Sequence, residues 1–270
     1  MTPVAAPAVP VRRTPPIIVV AAAGLTIAFF AVPLVGLLGR ASWSTLARDL
    51  ASDESRDALR LSLVCSLSAA GLSLVFGTPL AWLLARVPFP GRALVRGLVL
   101  LPLVLPPVVG GVALLAAFSR RGIVGASLYE WFGIQFTFST TGAILAETFV
   151  SLPFYVITVE AGLRSMDGRF EEVASTLGAS RRWVFTRVTL PLIGPAVVAG
   201  TVLAWARALG EFGATITFAG NIVGRTQTLP LAIYLQLVAH PDVAVALSLV
   251  LLVVSLTTIV LLRERWMASP

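Results

Sequence analysis

The chain has 270 residues, 57% hydrophobic and only 12% charged, with a mean hydropathy of +0.92, which places it in a membrane and not among soluble domains. All 20 of its basic residues are arginine, and the net charge of +7 is dispersed between apolar runs; this excludes a nucleic-acid patch. The absence of lysine also excludes a P-loop, whose lysine reaches the phosphates, so the chain is not itself an ATPase of that type.

Residues 1–16 read as a Pro/Ala-rich cytoplasmic tail carrying Arg12 and Arg13, expected to be disordered. Ile17–Leu38 follows with 22 uncharged residues, roughly 33 Å as a helix. No small-residue cleavage site comes after it, so it reads as a first span (17–38) and not a removed signal. Further apolar runs at Leu59–Ala85, Ala93–Phe118, Thr141–Leu163, Leu190–Phe212 and Val243–Leu262 complete six expected spans, five of them in a core at 55–262. Residues 263–270 read as a second cytoplasmic tail. Prolines interrupt these runs at Gly77-Thr78-Pro79, at Pro102, Pro106 and Pro107 before Gly110-Gly111, and at Leu152-Pro153. Proline frees a carbonyl in a membrane helix and is tolerated beside protein or a water-filled cavity, so kinks beside a translocation path are expected; kinks serving only packing are the alternative.

Arginine sets the orientation. With the N-terminus inside, inner segments hold twelve arginines and outer segments seven, leaving Arg207 within a span. The segment 164–191 then faces the cytoplasm. It holds 8 charged residues in 28. Within it Phe170, Val173, Ala174 and Leu177 share one helical face. Asp167 is placed to cap that helix, Glu171 and Glu172 suit its first turn, and Gly178 is placed to end it in a left-handed turn. Ser180 then caps a second helix bearing Trp183, Val184 and Val188, and Pro191 enters the next apolar run. The expected unit is a helix–glycine–helix elbow; a surface helix resting on lipid headgroups is the alternative.

The elbow resembles the EAA loop of ABC-importer permeases: Glu172-Val173-Ala174, then Gly178, then Val188-Thr189-Leu190-Pro191, at the family's spacing. Val173 stands for the first Ala and Val188 for the Ile. The resemblance implies an all-α integral membrane fold of the ABC type I importer permease kind, with a coupling helix that docks in a groove of an ATP-binding subunit. It assigns the elbow's shape and contact to Phe170, Glu172, Ala174, Leu177, Gly178, Leu190 and Pro191.

Span 5 ends in Arg207-Ala208-Leu209-Gly210-Glu211, whose i, i+4 charges can pair and so reduce the cost of placing them in a bilayer. Such a pair is either a path or gate element or a structural brace; both readings stand. Beyond it, Gly213, Thr215, Asn221 and Arg225 lead through a glycine-rich stretch into a polar outer loop at 221–227. In span 4, Glu160 is expected to reach towards Arg164, and Glu147 is the residue a proton-coupled secondary carrier would use. Cys65 reads as a small buried hydrophobe, and His240 stands alone, so neither a metal site nor a catalytic nucleophile is expected.

The run RALGEFGATITFAGNI, followed by GRTQTLPLAIY, resembles molybdate permeases, whose relatives carry tungstate or sulfate. The resemblance implies a non-catalytic subunit of a bacterial cytoplasmic-membrane importer. It implies a homodimer, two copies of a partner that binds the ATP, and an extracytoplasmic oxyanion-binding protein, with no cofactor of its own and no nucleic acid. On physical grounds Arg207 and Arg225 offer an anion weak donors along a path. A sulfate or tungstate permease, an ion-coupled carrier using Glu147, Arg207 and Glu211, and a membrane subunit with no path are the competing readings.

Overall fold

The computed structural model describes residues 16–266, with side chains as far as Val260. The expected tail at 1–16 lies outside the described residues apart from Pro16, as do 267–270 of the second tail; 263–266 continue the last helix. The described residues are helices and the turns between them, in two units meeting at Ala41 and Ser42.

The first unit contains one helix, α1 (Ile17–Gly39), with a mean hydropathy of 2.5 in its most apolar window. It runs through Pro33 without a break. The second unit begins with α2 (Leu46–Ala51), α3 (Asp53–Arg86), α4 (Arg92–Val104), α5 (Pro107–Phe118), α6 (Gly125–Phe132) and α7 (Thr140–Ser165). The charged segment supplies α8 (Arg169–Thr176), α9 (Arg181–Val184) and, after a widened turn at Phe185–Thr189, the short α10 (Leu190–Leu192). Then come α11 (Gly194–Leu209), α12 (Gly213–Ala219), α13 (Leu229–Ala239) and α14 (Pro241–Trp266).

Local chemistry accounts for where the long helices start. Ser52 accepts from the Ser55 amide at the head of α3, and Ser139 accepts from the Gly142 amide at the head of α7. The prolines behave unequally. Pro79 and Pro153 sit inside continuous helices, against the expectation of broken spans there, and Thr78 bonds its hydroxyl back to Leu74 O at 2.7 Å. The break comes at Leu105, held extended (ψ 135°) by Pro106, and it divides the expected third span into α4 and α5. The expected fifth span bends by 70° at Ile193, between the run Arg181–Leu192, which includes α9 and α10, and α11. Four helices, α1, α3, α7 and the Pro241–Val260 part of α14, are long and apolar enough to cross a membrane; the bent pair makes a fifth. The helix α13, charge-free and opened by Leu229-Pro230, was not expected; at 11 residues it is too short to register as a span.

The core is where α3, α7 and α11 meet. Ala81, Leu84, Tyr155, Val156, Val159 and Ala204 are buried there. Tyr155 lies between two glycines: a Cβ on Gly77 would come within 2.5 Å of its ring, and one on Gly200 within 3.3 Å. Its hydroxyl meets Thr78 at 2.6 Å, so the ring is held from three sides. Gly77→Val therefore overpacks this junction, at an expected cost of about 1–3 kcal/mol. Gly71→Ala in the same helix meets nothing within 4 Å and leaves the detergent melt unchanged. Equal melting temperatures for the two variants would contradict this packing.

A second cluster joins α5, α7 and α12 through Leu114, Ala146, Val150, Ala214 and Phe218. Gly111 allows that approach, since a Cβ there would lie 2.6 Å from Thr217 Cβ. A third cluster gathers Ala58, Leu229, Ala232 and Leu247 from α3, α13 and α14.

Candidate functional site

The elbow is built from local hydrogen bonds. Asp167 accepts from the Arg169 amide at 3.0 Å, next to the N-cap at Gly168. At the far end Gly178 takes φ +86°, its amide donates to Ser175 O at 3.0 Å, and the Ala179 amide donates to Ala174 O at 3.1 Å. Those two bonds and the positive φ make a Schellman C-cap, which a residue with a Cβ enters only at a cost. Ser180 accepts from the Trp183 amide at 3.3 Å and starts the second arm. The two arms enclose a groove of about 900 Å³ lined by Phe170, Val173, Ala174, Leu177, Trp183 and Val188, with Gly178 at its edge. This apolar lining is open to solvent: Leu177 is 83% exposed and Phe170 57%. Isolated apolar residues on a surface are ordinary, but a concave cluster marks an interaction site.

The structure brings Phe170, Ala174, Leu177 and Gly178 together at this groove, while Leu190 and Pro191 lie beyond it and are exposed. Glu172 is also exposed and does not line it. Its neighbour Glu171 ties α8 to the body through Arg86 Nη2 of α3 at 3.3 Å, and to the far end of the elbow, where its other oxygen accepts from Thr189 Oγ1 at 2.6 Å. Sequence reasoning grouped the two acids as first-turn residues and missed the anchor. The helical phase of Phe170, Val173, Ala174 and Leu177 was the available signal, since it sets Glu172 opposite the groove and Glu171 to one side.

The Arg207–Glu211 pair forms, with Nη2 to Oε2 at 2.7 Å. The helix that carries Arg207 nevertheless stops at Leu209, and Glu211 lies in the break before α12. Its other oxygen accepts the Ala214 amide at 2.8 Å, so Glu211 also caps α12. Glu211, Gly213 and Thr215 are buried, Asn221 and Arg207 are half-buried, and Arg225 is exposed. Gly213 is needed for close approach: a Cβ there would be 2.6 Å from Pro107 Cβ. The loop at 221–227 is closed by the Ile222 amide donating to Thr226 Oγ1, and by Thr140 donating to Arg225 O.

Glu160 bonds both Arg164, at 2.8 Å, and Arg96 of α4, the second partner being unforeseen. Glu147 is buried with one carboxylate oxygen lacking a partner. Cys65 is buried, as expected of a small hydrophobe. Among the described residues, no group of three His, Cys, Asp or Glu side chains is arranged to hold a metal ion.

Residues 77–269 match the family described as binding-protein-dependent transport system inner membrane component. The chain is 52% identical over 231 residues to the molybdenum transport system permease protein of Mycobacterium tuberculosis, covering 85% of this chain and 86% of that one. To the protein of the same description from Escherichia coli it is 47% identical over 217 residues, 80% of this chain and 95% of the other. A sulfate transport system permease protein of Escherichia coli is 39% identical over 204 residues, 76% and 73% of the respective chains. In fold the chain is similar to a bacterial ABC transporter involved in importing alginate, with a TM-score of 0.72 over 94% of this chain and 96% of that one, at 23% identity.

Proposed function

We propose that this chain, which belongs to the family of binding-protein-dependent transport system inner membrane components, is the permease subunit of an ATP-driven importer of the molybdate oxyanion. The observation that carries the coupling half of this reading is the elbow: an exposed apolar groove on a helix pair whose back is pinned to the body by Glu171. An element that passes motion between two proteins needs both a face for the partner and a stiff link to its own core. Phe170, Ala174 and Leu177 offer the first; Glu171 with Arg86 of α3 supplies the second, and Thr189 locks the two ends of the elbow together. The partner is an ATP-binding subunit, present in two copies against a homodimer of this chain, with a separate binding protein delivering the anion from outside.

Identity supports molybdate over sulfate, since molybdenum permeases share 47–52% of aligned residues with this chain and the sulfate permease 39%. The test is reconstitution in proteoliposomes with the partner subunit and the binding protein. Radiolabelled molybdate is expected to accumulate with ATP, to be blocked by vanadate, and to be displaced by tungstate before sulfate. This chain alone is expected to hydrolyse no ATP. Steady turnover by the isolated chain, or ion-gradient-driven uptake without the partner, would overturn the reading.

A further inference from the structure

On the other side of α8 from the apolar groove lies a second cavity, of about 650 Å³. Its walls come from the end of α3, through Pro79, Trp82 and Arg86, and from the second arm of the elbow, through Arg181, Arg182 and Phe185. Three guanidinium groups meet one carboxylate there, Glu171, leaving a surplus of two positive charges. Glu171 is already engaged by Arg86 and Thr189. Among the described residues Arg181 and Arg182 form no ion pair, and Arg86 Nε is buried without a hydrogen-bond partner.

The cavity also has a definite depth. Pro79 and Trp82 belong to the apolar length of α3, and Arg86 is its last residue. Hydrocarbon therefore gives way to water across this cavity, at the level where tryptophan rings and arginines gather on membrane proteins. Guanidinium forks match phosphate oxygens in pairs, and an aromatic and proline wall beside them matches glycerol and the first acyl carbons.

We propose that this cavity binds the phosphate headgroup of an anionic phospholipid from the leaflet on the elbow's side. A free oxyanion shares the tetrahedral chemistry but leaves the wall of Pro79, Trp82 and Phe185 without a partner. A headgroup held there bridges the end of α3 and the second arm of the elbow, alongside the single Glu171 link. The proposal goes beyond the transport reading and does not depend on which anion the protein carries.

The test uses the full chain, purified in neutral detergent, stripped of lipid and offered phosphatidylglycerol or phosphatidylcholine at equal mole fraction, with retained lipid counted by native mass spectrometry. The native chain is expected to retain phosphatidylglycerol in preference by about tenfold. Arg181→Gln and Arg182→Gln, both exposed positions, are each expected to cut that preference severalfold. Arg187→Gln removes one exposed charge from the same elbow outside the cavity and is expected to keep it. Phosphatidylglycerol should raise the melting temperature of the native chain and not of Arg181→Gln. Parity between the two lipids, or equal losses in Arg187→Gln and Arg181→Gln, would overturn the proposal. So would calorimetric binding of inorganic phosphate that Arg181→Gln abolishes while no lipid preference exists, since that assigns a free-anion site.

Discussion

Aspartate at Leu177 or at Phe170 is expected to abolish ATP-driven uptake and weaken capture of the ATP-binding subunit by about a hundredfold, without moving the melting temperature of the chain. At 83% and 57% exposed, these side chains contribute little to the protein's own fold, so losing them leaves it intact. Buried in a partner, a leucine or phenylalanine contributes about 1.5–3 kcal/mol, and a carboxylate in its place adds an unpaired charge to the interface. Together those effects reach the hundredfold scale, at about 1.4 kcal/mol per tenfold. Affinity of immobilised subunit for the detergent-solubilised chain, read beside the melt, checks it. Normal affinity in both variants would leave the groove as a surface feature.

Gly178→Pro reaches the same outcome by another route. Proline cannot adopt φ +86° and lacks the amide that donates to Ser175 O, so the turn between the arms is lost. The two acids separate the elbow's exposed charge from its anchor. Glu172→Lys changes an exposed charge and is expected to weaken capture alone; Glu171→Gln loosens the bond to Thr189 and the contact with Arg86, and is expected to leave capture near normal while reducing uptake per ATP hydrolysed. Identical phenotypes for the two would show that the elbow has no separate anchor.

The elbow was legible in the sequence because it lies outside the apolar phase and obeys the rules of wet helices. Asp167, Gly178 and Ser180 each act within three residues of their own position, so spacing alone places them. What stayed hidden depends on contacts distant along the chain. The choice between Glu171 and Glu172 is made by Arg86, 85 positions earlier than Glu171, and by Thr189. The prolines misled for a related reason. Among these prolines, Pro106 alone follows a residue that turns extended, Leu105, and breaks its helix; Pro79 and Pro153 stay inside continuous helices. The fifth apolar run extends to Phe212 in the sequence, with a polar loop at 221–227, yet the helix stops at Leu209 and the chain goes on to form α12 and α13, two short helices. Hydropathy detects length, and neither is long enough to register.

The pair at the end of α11 gives the second large effect. Glu211 is 1% exposed and divides its carboxylate between Arg207 and the Ala214 amide. Removing Arg207 leaves a buried charge with a single amide to face it; removing Glu211 strands a half-buried guanidinium and uncaps α12. Arg207→Ala and Glu211→Ala are each expected to destabilise the protein by about 3–5 kcal/mol, the scale for breaking a buried pair from one side. Arg207→Met combined with Glu211→Gln removes both charges and keeps an oxygen for the Ala214 amide, so its stability is expected to return close to that of the native chain. The variants then separate brace from path. A brace predicts that uptake returns with stability, because the pair serves only to hold α11 against α12. A path element predicts a double variant that folds, captures its partner and hydrolyses ATP while molybdate passes slowly, because the guanidinium that met the anion is gone. Both charges sit on one turn of chain, but only Arg207 keeps part of its side chain, 27%, open to the outside. Any path role therefore belongs to Arg207, with Glu211 holding it in place. Arg207→Lys with Glu211 intact is the discriminating variant: it keeps the charge, loses the fork, and is expected to hold stability within about 1 kcal/mol if the pair is a simple ionic brace.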